Sequence, residues 1–164
     1  MTDTIIYQKT PNLPQTLEAE CYILDTSLDK DFLTTFINLS TQEDKIILFY
    51  GDNAVELAQY YKANGIIIDQ TLTTPPLKDL TPIRKSLGKN SVIGLITRNR
   101  RHETMLTAEL EPDFIIFKAW NDGLDKTTEL LNWYNDFFLI QSAVFPLEDI
   151  NTNNISADFI IKTV

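Results

Sequence analysis

Short apolar runs recur along the chain, each closed off by polar or charged positions. "KIILFYGD" from Lys45, "SVIGLITR" from Ser91 and "FFLIQSAV" from Phe137 start at 46-residue intervals. A second set, "NGIIIDQ" from Asn64, "PDFIIFKAW" from Pro112 and "ADFIIKTV" from Ala157, recurs at roughly the same interval. The runs are apolar throughout rather than alternating, and they are rich in β-branched and aromatic residues, the composition of strands buried on both faces. "TIIYQK" from Thr4 and "CYILDTS" from Cys21 bring the predicted strands to eight.

The intervening segments carry helical marks. "DKDFLTTFINLS" places Phe32, Phe36 and Leu39 on one face. Asn53 followed by "AVELAQYYKAN" reads as an N-cap with Glu56 three residues on, a capping box. "LKDLTPIRKSLG" ends on Gly88, and "KTTELLNWYND" offers Leu130, Leu131 and Tyr134 to a core. Buried strands separated by single helices indicate a parallel sheet covered on its faces. Two links are weak: "TPNLPQTLEAE" carries two prolines, and "PLEDINTNNISA" is polar and Asn-rich.

Composition narrows the function. The 164-residue chain is 43% hydrophobic, enough for one good core. Its formal net charge of −9 lacks the electrostatic footprint of a nucleic-acid binder. No apolar run approaches the ~20 residues of a membrane helix, and "MTDTIIYQK" lacks the basic start and apolar core of a signal peptide, so a cytoplasmic protein without membrane or nucleic-acid partners is expected. One cysteine, Cys21, and one histidine, His102, exclude an internal disulfide and a His/Cys zinc site, leaving only a metal with oxygen ligands.

The strand sequences resemble those of thiamine-phosphate synthases and their TenI-like relatives. "GIIIDQ" resembles the family's "gvHLGQ" strand, "SVIGLITRN" its "iiGvStHn" and "EPDFIIFKAW" its "gADYigfGpvf"; "KIILFYGDN" stands at "pLlINDr" and "FFLIQSAV" at "vvAiGGI". The similarity runs from about Lys45 to Val164, with a weaker match of "CYILDTS" to "vQlRdK". It implies one thiamine-phosphate-synthase/TenI-like domain over residues 1–164, folded as a (βα)8 TIM-type barrel. Against the ~250 residues usual for that fold, the barrel is trimmed, with a short first connection and no final helix; an open doubly wound parallel sheet is the alternative if the ring does not close.

The resemblance also implies a chemistry: joining a pyrimidine pyrophosphate to a thiazole phosphate, with Mg2+ on the pyrophosphate and backbone amides of glycine-rich loops on the phosphate. Most of that set is missing. The cations of "vQlRdK" fall near Leu24 to Thr26, the paired glycines of "GGI" fall on Gln141, Ser142 or Ala143, and "GpvF" becomes Lys118, Ala119 and Trp120. Asp52 keeps the aspartate of "INDr" and Gln70 the glutamine of "HLGQ".

Asp25, Asp52 and Asp69 stand at predicted carboxyl strand ends, where α/β barrels place their sites, and suit Mg2+; capping and loop-start roles are the structural alternative. Asp52 and Asp69 are the metal candidates. Gln70, Arg98, Lys118 and Ser142 are the candidates for a phosphate or small ligand. Arg98, Arg100 and Arg101 follow the fifth strand without a glycine-rich cradle, Arg98 being nearest the strand. Lys118 and Lys162 either face an anion or pair with a strand-end aspartate, and His102, Trp120, Trp133 and Tyr134 read as helix-surface, core or interface residues.

These losses favour a domain without the synthase's catalysis that keeps a pocket for a phosphate, a phosphorylated small molecule or another small ligand at the carboxyl strand ends, or has a purely regulatory role. The alternatives are a divergent synthase or TenI-like isomerase in thiamine biosynthesis using Asp52, Gln70 and Arg98, or an oligomeric interaction module. A homodimer is expected because the strands around Ile5–Tyr7 and Phe159–Ile161 have little of their own chain to cover their outer face.

Overall fold

The structure, a computed structural model, describes residues 2–164. Its strands are β1 (Asp3–Gln8), β2 (Cys21–Asp25), β3 (Ile46–Tyr50), β4 (Gly65–Asp69), β5 (Val92–Thr97), β6 (Phe114–Ala119), β7 (Gln141–Pro146) and β8 (Phe159–Thr163). They pair in chain order and close into a barrel, with parallel neighbours such as Leu24 beside Phe49 and Phe117 beside Val144. Closure occurs at β8 and β1, where the Val164 N–H donates to the Tyr7 carbonyl at 2.9 Å and the Lys9 N–H to the Val164 carbonyl at 2.9 Å. The open-sheet alternative does not apply.

Five helices follow β2 to β6 in turn: α1 (Lys30–Gln42), α2 (Ala54–Tyr61), α3 (Thr81–Leu87), α4 (Arg101–Glu109) and α5 (Leu124–Phe137). Among the described residues no helix follows β1, β7 or β8. The short first connection matches the sequence pattern, and the polar, Asn-rich link after β7 is irregular as well. Gly88 closes α3 with φ +104°, its N–H reaching the Arg84 carbonyl at 2.7 Å.

Three local expectations need correction. The strand expected from Phe137 begins at Gln141 instead: Phe137 ends α5, and the Phe138 N–H still bonds the Tyr134 carbonyl. The apolar run is therefore half helix end and half strand, which periodicity does not divide. In α1 the buried stripe is Leu33, Phe36, Ile37 and Ser40, with Phe32 and Leu39 flanking it half-buried. The capping box on α2 does not form, because Asn53 sits in the left-handed region at φ 59° and its side chain makes no cap bond. The cap that does form is Asp29, which accepts from the Phe32 N–H at 2.9 Å to start α1.

By internal contacts the chain forms two compact units. One comprises the segment up to Asp3, Ile68–Leu80 and Ile93–Ile161; its core gathers Phe117, Leu131, Tyr134 and Val144, with the Tyr134 phenol donating to the Ile140 carbonyl at 2.7 Å. The other comprises Thr4–Ile67, Thr81–Val92 and Lys162–Val164; there Tyr22 meets Phe36 edge-on at 5.3 Å, beside buried Ile23, Leu24 and Leu48.

Gly65 opens β4 against the backbone of Val92, whose carbonyl oxygen would lie 1.7 Å from a Cβ placed there. No side chain can move aside from that contact. Gly65→Ala is expected to destabilise the fold by at least about 3 kcal/mol, measured as a fall in the urea midpoint at unchanged slope; a midpoint within error of wild type would refute the close approach.

Candidate functional site

In the unit containing residues 68–80 and 93–161, the carboxyl ends of β4, β5 and β6 carry a linked polar group. Asp69 ends β4 almost wholly buried, its side chain 4% exposed, and Lys118 comes one residue before the end of β6. Strands that are otherwise apolar throughout leave these two groups only each other and the loops. Lys118 Nζ lies 2.8 Å from Asp69 Oδ2, while Oδ1 accepts the Thr71 N–H at 2.9 Å and the Thr71 hydroxyl at 2.5 Å. Burial pushes the Asp69 carboxyl up, but the Lys118 hydrogen bond, the two from Thr71 and the ammonium charge together outweigh it and hold it below the usual range. Asn99 fastens the next loop, donating to the Lys118 carbonyl at 2.7 Å and to Thr127 Oγ1 at 3.2 Å.

Beside this group a cavity of about 500 Å³ opens between the loop after β4 and α4. Gln70, Lys78 and Arg98 line it together with Leu106, Thr107 and Leu110. The Gln70 N–H continues the ladder to the Ile96 carbonyl at 2.9 Å, which fixes where its side chain starts. Arg98 is exposed, follows β5 directly and makes no ion pair among the described residues.

The other basic residues diverge. Arg100 reaches Glu103 at 3.8 Å, Arg101 lies 5.2 Å over the Trp133 ring, and His102 is exposed in the first turn of α4. The run "RNRR" is therefore not one phosphate cradle. Tyr134 is core, Trp133 half-buried and Trp120 exposed.

Ser142 does not belong with these residues. It is the second residue of β7, beside Ile115, at the amino end of the strand. It is fully buried, with its N–H on Asp158 Oδ2 at 2.8 Å and its hydroxyl 3.4 Å from Asn135 Oδ1. The carboxyl end of β7 is Phe145–Pro146. The late start of β7 accounts for the misplacement.

In the other unit, Asp25 ends β2. Its Oδ2 accepts a short hydrogen bond from the Tyr7 phenol, and its Oδ1 accepts the Ser27 N–H at 2.9 Å and the Ser27 hydroxyl at 2.6 Å. Burial raises this carboxyl too, but the hydrogen bonds from Ser27 and Tyr7 prevail and hold it low; the same partnership, added to burial, drives the Tyr7 phenol up. Tyr50 meets the Tyr7 ring edge-on at 5.7 Å. Gly51, at φ +129°, leaves room for Thr26 Oγ1, which a Cβ would approach to 2.2 Å. Asp52 is exposed in the turn that follows.

Of the metal candidates, Asp52 is exposed in a turn of one unit and Asp69 is buried against Lys118 in the other. Among the described residues no three His, Cys, Asp or Glu side chains group as a metal site would need. Asp25 and Asp69 instead spend their oxygens on Tyr7, Ser27, Lys118 and Thr71. Lys162 is exposed on β8 and makes no ion pair with a strand-end aspartate among the described residues. Sequence reasoning missed Tyr7, Lys78 and Asn99. Tyr7 carried a readable signal, a phenol near the carboxyl end of an apolar strand, like the aspartates.

No family model matches the chain. Over 102 residues it is 28% identical to a thiamine-phosphate synthase of Erythrobacter litoralis (strain HTCC2594), a match covering 57% of this chain and 46% of that protein. The chain thus aligns with less than half the length of the curated relative. The crystal structure of KGPDC from Streptococcus mutans superposes with a TM-score of 0.62, covering 99% of this chain and 87% of that one at 13% identity. The fold is a TIM barrel. At that identity the second likeness extends to the fold alone, and the first is a distant similarity to the synthases. No helix among the described residues is long and apolar enough to cross a membrane.

Because Asp69 is held below the unfolded carboxylate value of about 3.9, its pairing adds stability that is fully present above that pH and lost as pH falls through the folded value. Asp69→Asn is expected to cost about 1–3 kcal/mol at pH 7, with the deficit closing towards pH 3. Urea unfolding at both pH values checks this; a deficit of equal size at pH 3 would mean that the ion pair is not its source.

Proposed function

We propose that the chain is a non-catalytic relative of the thiamine-phosphate synthases that binds a small phosphorylated ligand at the carboxyl ends of β4 and β5. The observation that carries this reading is the division of the cations: Lys118 is neutralised by Asp69, whereas Arg98, without an ion pair, lines a cavity of about 500 Å³ with Gln70. That volume suits a small ligand, and a guanidinium is the side chain best shaped to grip a phosphate. Loss of synthase catalysis is supported by what stands at the other strand ends. At the end of β2, Leu24 to Thr26 replace the cations of the family pattern, Asp25 being tied to Tyr7 and Ser27. Asp52, which keeps the aspartate of the family pattern, stands exposed, outside any group of three metal-ligating side chains among the described residues. Removing one donor that meets developing charge commonly costs roughly 10²–10³-fold in rate, and several are missing.

The test is calorimetry with inorganic phosphate and pyrophosphate, alongside a coupled assay with both synthase substrates and Mg2+. Binding that Arg98→Ala weakens at least about fivefold, with no turnover, is expected. Turnover abolished by Asp52→Ala would overturn the non-catalytic reading and restore Mg2+ at Asp52; anion binding indifferent to Arg98→Ala would remove the site.

A second reading, association of two copies, is favoured by one feature. A groove of about 910 Å³ runs along β8, β1 and the first connection, where no helix lies, lined by residues such as Ile6, Gln8, Tyr22 and Val164. The side chains of its lining include the carboxylate of Glu18 and the ammonium of Lys162, opposite charges that a two-fold pairing of copies could set against each other. Sedimentation is expected to show a dimer that Lys162→Glu weakens; a monomer at high micromolar concentration would refute it.

A further inference from the structure

We infer that the cavity beside Arg98 selects a zwitterionic ligand, a phosphorylated primary amine on a short carbon chain, over a plain phosphate ester. The inference rests on the anion-binding reading of Arg98 and names the ligand class for that site. Its ground is the balance of charge in the lining: Lys78 and Arg98 are matched by two carboxylates of α4, Glu103 and Glu109. A phosphate ester dianion entering such a space is attracted by Lys78 and Arg98 but repelled by Glu109, while Glu103 is offset by Arg100, in a chain whose net charge is already −9. A pocket serving an anion alone gains nothing from carboxylates in its wall.

The two carboxylates are not equivalent. Glu103, in the first turn of α4, is engaged by Arg100 at 3.8 Å. Glu109, at the last turn, is exposed and makes no ion pair among the described residues, so it is the acceptor left for an ammonium. Arg98 precedes the amino end of α4 and Glu109 closes its carboxyl end, so the helix dipole favours the same polarity of ligand: anion by Arg98, cation by Glu109. Between the two ends Leu106 and Leu110, with Leu77 from the loop after β4, offer an apolar wall to the carbon chain.

The test compares 3-aminopropyl phosphate with propyl phosphate by calorimetry on the full chain, on Glu109→Gln and on Arg98→Ala, all checked for folding by circular dichroism. Wild type is expected to bind the amine about fivefold more tightly, the size of one exposed ion pair. Glu109→Gln should erase that preference while leaving propyl phosphate bound at least as well, and Arg98→Ala should weaken both. Equal affinities in wild type, or a preference that survives Glu109→Gln, would overturn the zwitterion inference and leave the anion site standing. Binding of neither compound to wild type would overturn the Arg98 reading and this inference with it.

Discussion

Ring closure is the constraint on which the rest depends. A parallel strand has donors and acceptors along both edges, and an open sheet leaves two edges to be protected; a closed ring leaves none. Here the last step is made mainly by backbone, with Val164 bonded to Tyr7 and Lys9, and Asp3 to Asp158 at 3.0 Å. Because the ladder rather than the outer layer holds β1 and β8 in place, the fold tolerates connections after β1 and β7 that carry no helix. The saving in length falls on the outer layer, and it leaves the groove along β8 and β1.

Closure also dictates where polar groups stand. Parallel strands bring all their carboxyl ends to the same rim, and buried strands carry polar side chains only as they emerge. Asp25 emerges at the end of β2 in one unit and Asp69 at the end of β4 in the other, and each is satisfied within its own unit, by Tyr7 and Ser27 or by Lys118 and Thr71. Desolvating a carboxylate without such partners would cost several kcal/mol. That requirement is why the oxygens of both carboxylates are engaged by neighbouring side chains.

All eight strands and the parallel order were legible in the sequence, because a strand buried on both faces writes itself as an unbroken apolar run. The absence of a regular helix after β1 was legible in its prolines. What failed was local. The run from Phe137 reads as one apolar block, although its first residue still belongs to α5; from composition alone a helix end and a strand start look the same. Asn53 has the identity of a cap but adopts a left-handed backbone, which no residue pattern announces. At the site, Gln70 and Arg98 were legible as residues just beyond a strand, and the pairing of Lys118 with an aspartate was one of the two roles open to it. Ser142 was misplaced because a shift of four residues along β7 exchanges its amino end for its carboxyl end.

That shift bears on the chemistry. If the resemblance to the synthases is followed along β7 as folded, the position of a glycine-rich phosphate loop is taken by Phe145 and Pro146. Proline has no N–H to give, and phenylalanine keeps the backbone at the distance its Cβ imposes. At the end of β7 an anion would therefore find no backbone-amide cradle. Such a cradle and side-chain cations differ physically. Amides in a closed loop hold their geometry before the ligand arrives and are shielded from salt, whereas Arg98 and Lys78 are exposed, must be ordered on binding, and act through a field that falls off within about 8 Å at physiological ionic strength. An anion held by Arg98 and Lys78, as proposed, would therefore be bound weakly and in a salt-sensitive way.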